Sequence, residues 1–469
     1  MYAFGGNRHK HLRSHSKNGI LPGRAALELD YGNIRGADSN RASRKKEIFT
    51  MNRVATGINS VVEMKNLTVG YGIKEVLTGI QANISRGQFV SLLGPNGVGK
   101  TTLLRTLSRH LQKIEGNIFI NDRPIESYGQ RELACNLAVV LTSRINTELF
   151  TGFEFTAMGR HLHTGFLGAL ADRDREKVWE ALRLVNAVNL AERQMDQLSD
   201  GEKQKLFIAR ALAQEPKIII LDEPTAHLDL KHQMEIMAIL RDSCREKGLT
   251  IIASLHDVGV AARVSDQVAL IKDGAVVAWG RPEEVLTGTN VSELYDIDGA
   301  VYDRTIGTLE MKGGSGTKKV FCVSGAGTGA TLFRFLSKNG INIATGVLND
   351  NDVDHHVANA LGAHIISAPA FEQITEEMIS NCAGPIREAD YVIDTGFPVR
   401  AANRMNTELI TYALAQGKPV FTLRKAEDAG RLLKTDSGNL VACQSEVQLL
   451  DKLGAMVTTQ GSGVRSLNE

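Results

Sequence analysis

The stretch Gly94-Pro95-Asn96-Gly97-Val98-Gly99-Lys100-Thr101 constrains this chain more than any other, because it is a complete phosphate-binding loop in the right setting. It fits the pattern glycine, four residues, then Gly-Lys-Ser/Thr. The strand-like run Gln88-Phe89-Val90-Ser91-Leu92-Leu93 leads in, and the helix-prone Thr102-Leu103-Leu104-Arg105-Thr106-Leu107 leads out. Glycines at such a turn let backbone N–H groups wrap a phosphate chain, and the helix N-terminus adds partial positive charge. Lys100 can then reach β- and γ-phosphates, and the Thr101 hydroxyl can ligate Mg²⁺. Gly94, Asn96, Gly97, Gly99, Lys100, Thr101 and Thr102 are therefore the expected nucleotide-binding residues.

A phosphate loop needs carboxylates opposite it. The run Ile218-Ile219-Ile220-Leu221 is apolar throughout and ends in Asp222-Glu223. Continuous apolar residues predict a parallel-sheet strand buried on both faces, with its carboxyl tip at the ligand. Asp222 is placed to hold Mg²⁺, directly or through water, and Glu223 to polarise an attacking water. Upstream, strands are expected over 61–69 and 75–84, separated by the turn Gly70-Tyr71-Gly72, and again over 116–121. A mainly helical region is expected over 153–196.

With 469 residues the chain exceeds one ordinary core, so at least two domains are expected. Its net charge of +1 argues against nucleic acid or anionic lipid as a dominant partner. No apolar run approaches the roughly 18 residues of a membrane span, so a membrane function would need spans from another chain. Cys135, Cys244, Cys322, Cys382 and Cys443 are scattered and odd in number, which reads as reduced core thiols of a cytosolic protein. Residues 1–57 mix Arg, His, Lys, Gly and Asn without period and are expected to form a basic disordered tail.

Leu198-Ser199-Asp200-Gly201-Glu202-Lys203-Gln204 begins a helix, with Ser199 as N-cap and Glu202 closing a capping box. This segment resembles the signature motif of ATP-binding-cassette (ABC) ATPases, and the other family motifs follow in order over residues 58–300. Tyr71 matches the aromatic residue that stacks on adenine, Leu228-Asp229 the dimer-contact loop, and His256 the switch histidine. The resemblance implies a homodimer of ATPase domains, head to tail, with two ATP molecules at the interface. Each ATP would lie between the phosphate loop of one subunit and Ser199 and Gly201 of the other. Two departures stand out. Thr142 occupies the family's usual glutamine position, and Asp200 and Glu202 replace the commoner glycine and glutamine.

Within the family, Met158-Gly159-Arg160-His161-Leu162-His163-Thr164-Gly165, the run from Asp222 to Gln233, and Gly280-Arg281-Pro282-Glu283-Glu284-Val285-Leu286 resemble ATPase subunits of importers for iron–siderophore complexes, haem and cobalamin. That branch implies a separate transmembrane permease, a substrate-binding protein met indirectly, and a place on the cytoplasmic face of the membrane. His161 and His163, two residues apart on a helix, would not share a face and are expected at the surface or a partner contact. The rival reading is a soluble, non-transport cassette ATPase whose C-terminal part binds a nucleotide or a partner.

Beyond residue 300 the resemblance ends. Residues 301–317, with Lys312-Gly313-Gly314-Ser315-Gly316-Thr317, are expected to form a flexible joint. Over 318–469 strands and helices alternate, which predicts a second, doubly wound parallel α/β domain. Its first turn, Gly325-Ala326-Gly327-Thr328-Gly329-Ala330, with Asp350 and Asp352 after the second strand, resembles the fingerprint of a dinucleotide-binding (Rossmann) fold. Asp354-His355-His356 is expected at a solvated helix start, and the domain is read as a regulatory or ligand-sensing appendage.

Overall fold

The computed structural model describes residues 60–141, 149–164, 169–304, 307–313, 316–433 and 439–460. All belong to one compact unit, Thr56–Glu469. The basic N-terminal segment and Thr142 lie outside the described residues.

Two sheets build the first part of the chain. Strands β1 (Ser60–Tyr71), β2 (Lys74–Ser85), β4 (Lys113–Ile120) and β5 (Arg123–Pro124) form an antiparallel sheet in the order β2-β1-β4-β5. Strands β3 (Phe89–Leu93), β6 (Leu137–Val140), β7 (Ile218–Asp222), β8 (Thr250–Ser254), β9 (Gln267–Lys272) and β10 (Ala275–Gly280) form a second sheet in the order β10-β9-β3-β8-β7-β6. Its β9-β3-β8-β7-β6 stretch is parallel. Strands β3, β7 and β8 are buried at every residue, as their mainly apolar sequences require. One core lies between the two sheets, gathering Leu67, Leu77, Leu92 and Ile252. Another lies on the opposite face, where Phe155 and Leu182 from the helical region, with Leu206 and Met237 from the helices that follow, meet Ile219 and Ile251.

The first hairpin departs from expectation. Strand β1 continues through Gly70 and Tyr71, which pair with Glu75 and Lys74, and the chain reverses only at Gly72. A β-carbon on Gly70 would lie 2.0 Å from the Lys74 carbonyl oxygen, so a glycine there serves close strand approach rather than the turn.

Residues 300–311 also depart from expectation. Strands β11 (Ala300–Asp303) and β12 (Thr308–Met311) pair antiparallel, with Tyr302 buried in the helical-side core. The backbone N–H of Lys312 donates to Gly299, and that of Gly313 to Leu361 in the second domain. Residues 300–303 and 308–311 of the expected linker are therefore paired strands, with Tyr302 buried against the helical-side core and Glu310 buried in an ion pair with Arg334 of the second domain.

The second domain is a six-stranded, wholly parallel sheet in the order β15-β14-β13-β16-β17-β18. Its strands are β13 (Lys319–Val323), β14 (Asn342–Asn349), β15 (His364–Ala368), β16 (Tyr391–Asp394), β17 (Val420–Thr422) and β18 (Leu440–Ala442). Apolar clusters cover both faces, one around Phe333, Leu336 and Val357, the other around Phe397, Leu409 and Ile410. The strand order reverses beside β13, which makes the sheet doubly wound.

Candidate active site

Strand β3 delivers the phosphate loop at its carboxyl end. Gly94 has no room for a side chain, since a β-carbon would lie 2.3 Å from the Ile271 carbonyl oxygen. Gly97 and Gly99 are left-handed, with φ of 80° and 111°, which turns the backbone into the start of the helix Lys100–Leu107. Lys100 is buried, and its Nζ donates to the loop carbonyls of Gly94 (2.6 Å) and Pro95 (3.0 Å). Burial lowers its pKa, against the pull of Glu223 and Asp222 in the other direction. Asn96 and Gly97 face solvent at the loop's outer edge, and Thr102 is buried on the first turn of the helix. Tyr71 stands half exposed at the end of β1, and a β-carbon on Gly99 would lie 2.7 Å from Val76 on β2, so this hairpin flanks the loop.

Strand β7 brings the carboxylates to the same end of the sheet. Thr101 Oγ1 donates to Asp222 Oδ1 at 3.1 Å, and Ser254 Oγ donates to the same oxygen at 2.8 Å. The Glu223 N–H donates to Ser254 Oγ at 2.8 Å. Glu223 itself has φ of 51°, a left-handed backbone uncommon outside glycine, which costs of order 1–3 kcal/mol and aims the side chain away from the strand. His256 Nε2 lies 2.7 Å from Glu223 Oε1. A cavity of about 110 Å³ adjoins the pair, lined by Thr225, Gln233, Ser254 and Asp257 among others. Lys100, Thr101, Asp222, Glu223 and His256 thus converge on one strand-end cluster. Ser254 also belongs to it and was not anticipated. Its signal was a polar residue at the tip of the otherwise apolar run Ile251-Ile252-Ala253.

A cation fits between Thr101 and Asp222 by donor chemistry, because a hydroxyl and a buried carboxylate are oxygen donors of the kind Mg²⁺ takes.

Ser199, Gly201 and Asp229 form a separate cluster. Ser199 Oγ accepts from the Glu202 N–H, and the Glu202 carboxylate accepts from the Ser199 N–H at 2.9 Å, closing the capping box at the start of the helix Asp200–Ala213. The Ser199 backbone N–H is the main cause holding the Glu202 carboxyl below its usual range. A β-carbon on Gly201 would lie 2.6 Å from the His232 ring, which is held by Asp229 at 2.9 Å. Asp229 also caps the helix Leu230–Lys247. Ser199 and Asp229 hydrogen-bond within this cluster, to Glu202 and His232.

Arg160 is buried and serves the scaffold. It bonds Asp174 through Nε (3.0 Å) and Nη2 (2.9 Å), and the Ala213 carbonyl and Glu215 through Nη1 at 2.7 and 2.8 Å. Its neighbours are not helical as expected. Met158–Arg160 is a single 3₁₀ turn, and His161 and His163 follow in a turn, with His163 Nε2 3.2 Å from the Gln214 carbonyl.

The second glycine-rich loop has the shape of a phosphate cradle, with Gly325, Ala326 and Gly327 at φ of 156°, 56° and 78°. Its N–H groups are already engaged. Ala326 and Gly327 donate to Asp352 at 2.7 and 3.2 Å, and Gly329 and Ala330 to Asp354 at 2.9 and 2.8 Å. Asp354 is fully buried rather than solvated, and burial raises its carboxyl to about 6. A dinucleotide fold would leave those N–H groups for pyrophosphate and its acidic residue for a ribose. Here the acidic residues fill the cradle.

The fold and the strand-end cluster define a P-loop nucleoside triphosphatase. A family model described as "ABC transporter" matches residues 77–226, and one described as "MJ0874 family" matches residues 343–450. The chain is 44% identical over 289 residues to an uncharacterised ABC transporter ATP-binding protein of Methanocaldococcus jannaschii, covering 61% of this chain and all of that one. It is 29% identical over 412 residues to the cobalamin import ATP-binding protein BtuD of Halobacterium salinarum, covering 86% of this chain and all of that one. It is 34% identical over 239 residues to the ferric enterobactin transport ATP-binding protein FepC of Escherichia coli, covering 51% of this chain and 88% of that one. The chain belongs to the ATP-binding proteins of ABC transporters and is an ATPase carrying an additional α/β domain.

Proposed function

We propose that this chain powers uptake of a metal-chelate substrate of the iron–siderophore, haem or cobalamin kind, working with a separate transmembrane permease at the cytoplasmic face of the membrane. The observation that carries its catalytic half is the convergence of Lys100, Thr101, Asp222, Glu223 and His256 on one strand end. The transport half is supported by relatives named for ferric enterobactin and cobalamin. The similarity to the latter runs over 412 residues, well beyond the ATPase region, which favours a corrinoid.

Residues 58–300 act as the ATPase module and 318–469 as the second, regulatory one, with the hairpin 300–311 between them. ATP enters along the phosphate loop, its adenine on Tyr71 and its phosphates along Gly94, Asn96, Gly97, Gly99 and Thr102. Lys100 exchanges the Gly94 and Pro95 carbonyls for phosphate oxygens. Mg²⁺, held by Thr101 and Asp222, would supply charge neutralisation on the phosphates. Glu223 polarises the attacking water, and His256, with Nε2 2.7 Å from its carboxylate, fixes its orientation. Ser199 and Gly201 of a second copy close over the γ-phosphate, a capped helix N-terminus serving as the second anion site, and Asp229 lies at the dimer contact. ATP closes the dimer and hydrolysis reopens it.

The test is a search for permease genes beside this one, then reconstitution in vesicles with any permease found there. ATP-dependent uptake of a corrinoid or a ferric siderophore supports the reading. Steady ATP hydrolysis with no uptake of either, and no such permease, would favour a soluble ATPase instead.

A further inference from the structure

The hairpin β11–β12 touches the ATPase module at a particular place. Its inner turn meets the segment that follows His256: the Gly307 carbonyl oxygen lies 3.6 Å from where a β-carbon on Gly259 would stand, beside Asp257 Oδ1 at 3.2 Å. Asp257 caps the helix Val258–Val264 by accepting from the Val260 N–H at 2.9 Å. Tyr302 on β11 is buried in the ATPase core, within electrostatic reach of Asp257 and Arg263. Its carbonyl oxygen sits against Gly288, at 3.0 Å from where a β-carbon would stand, with the Val301 side chain at 3.3 Å, so the hairpin packs closely on helix Gly288–Tyr295. Arg304 Nη1 donates to the Glu283 carbonyl at 3.1 Å.

On its other side the hairpin belongs to the second domain. Helix Val353–Ala360 lies along both of its strands. Glu310 on β12 is buried and held in a fork by Arg334 of helix Ala330–Lys338, with Nε at 3.1 and 3.0 Å from the two carboxylate oxygens and Nη2 at 2.5 Å. Thr308 Oγ1 adds a bond at 3.0 Å. Such a bidentate pair fixes orientation as well as position.

We propose that Glu310 and Arg334 are positioning residues for ATP hydrolysis: through the hairpin they clamp the Asp257–Gly259 segment, and so hold His256 against Glu223. The second domain is then a structural support of the switch. Anything that moves helix Ala330–Lys338 would alter turnover without touching the nucleotide. The inference rests on the roles proposed above for Glu223 and His256.

The experiment is steady-state Mg-ATPase kinetics on the full chain with Arg334→Leu, Arg334→Lys, Glu310→Gln and, as a control on the site itself, Glu223→Gln. Loss of the fork should lower kcat about fivefold in Arg334→Leu and Glu310→Gln, with KM for ATP unchanged. Arg334→Lys should recover most of it, and amide exchange in peptide 256–264 should rise in the two weak variants. Wild-type kcat in both Arg334→Leu and Glu310→Gln would overturn the proposal, as would a loss shared equally by kcat and KM or not relieved by Lys. Turnover surviving in Glu223→Gln would instead overturn the reading of the site on which the clamp acts.

Discussion

Glu223 combines a left-handed backbone, an N–H tied to Ser254 and a carboxylate oxygen 2.7 Å from His256 Nε2, which together set where its side chain stands. Glu223→Gln should preserve nucleotide binding, abolish turnover and trap an ATP-bound dimer, as measured by ATPase rate and by mass in solution with Mg-ATP. Lys100→Ala should act earlier in the cycle, weakening triphosphate binding by about 10- to 100-fold, the worth of a charge-assisted bond. Titration calorimetry with a non-hydrolysable analogue would check it, and unchanged affinity would remove Lys100 from the cradle. These residues were legible in the sequence because phosphate chemistry demands their types at fixed offsets from a strand end. Ser254 and Arg160 were not, since a serine inside an apolar run and an arginine in a helical region acquire meaning only from partners about 32 and 14 residues away.

At the scale of elements, the helical region hangs on the Arg160–Asp174 pair. Burial pushes the Asp174 carboxyl up, but the Arg160 hydrogen bonds and the Ala171 N–H outweigh it and leave the net shift downward. Arg160→Leu would strand Asp174 and the Ala213 carbonyl, and should cost about 3–5 kcal/mol of stability in denaturant unfolding. A loss under 1 kcal/mol would show the pair to be incidental. The loop Gly325–Ala330 carries the opposite sign. With its folded value raised to about 6, chiefly by burial and against the N–H bonds of Gly329 and Ala330, Asp354 keeps its proton in the fold where the unfolded chain has lost it. Its contribution is therefore complete below the unfolded value near 4 and disappears as pH rises through about 6, amounting to roughly 2–3 kcal/mol. Glu180, pulled down to about 2 by Lys177 and Lys247, titrates below that window. Amide exchange in β13 should slow between pH 7 and pH 5 after correction for intrinsic rates, and Asp354→Asn should flatten the trend. The doubly wound order of this domain was legible from alternating strands and helices. Hairpin β11–β12 was not, because two four-residue strands carry too little periodicity to stand out beside a glycine-rich stretch.

For the molecule as a whole, the hairpin decides where it can be cut. Truncation after Lys312 keeps Tyr302 in the ATPase core and should leave a cooperative unfolding transition and bound nucleotide. Truncation after Gly299 removes that ring and should cost about 3–5 kcal/mol, as large core truncations do. Equal melting of the two fragments would show that Tyr302 belongs energetically to the second domain. The occupied cradle at Gly325–Ala330 has a quantitative reading as well. Among the described residues each chain presents two loops of phosphate-binding shape, yet in the second the aspartates Asp352 and Asp354 already serve as tethered, permanent ligands at an effective concentration no free anion matches. Saturation with a fluorescent triphosphate should therefore end at a stoichiometry of one nucleotide per chain, and a plateau at two would mean that the tethered carboxylates can be expelled.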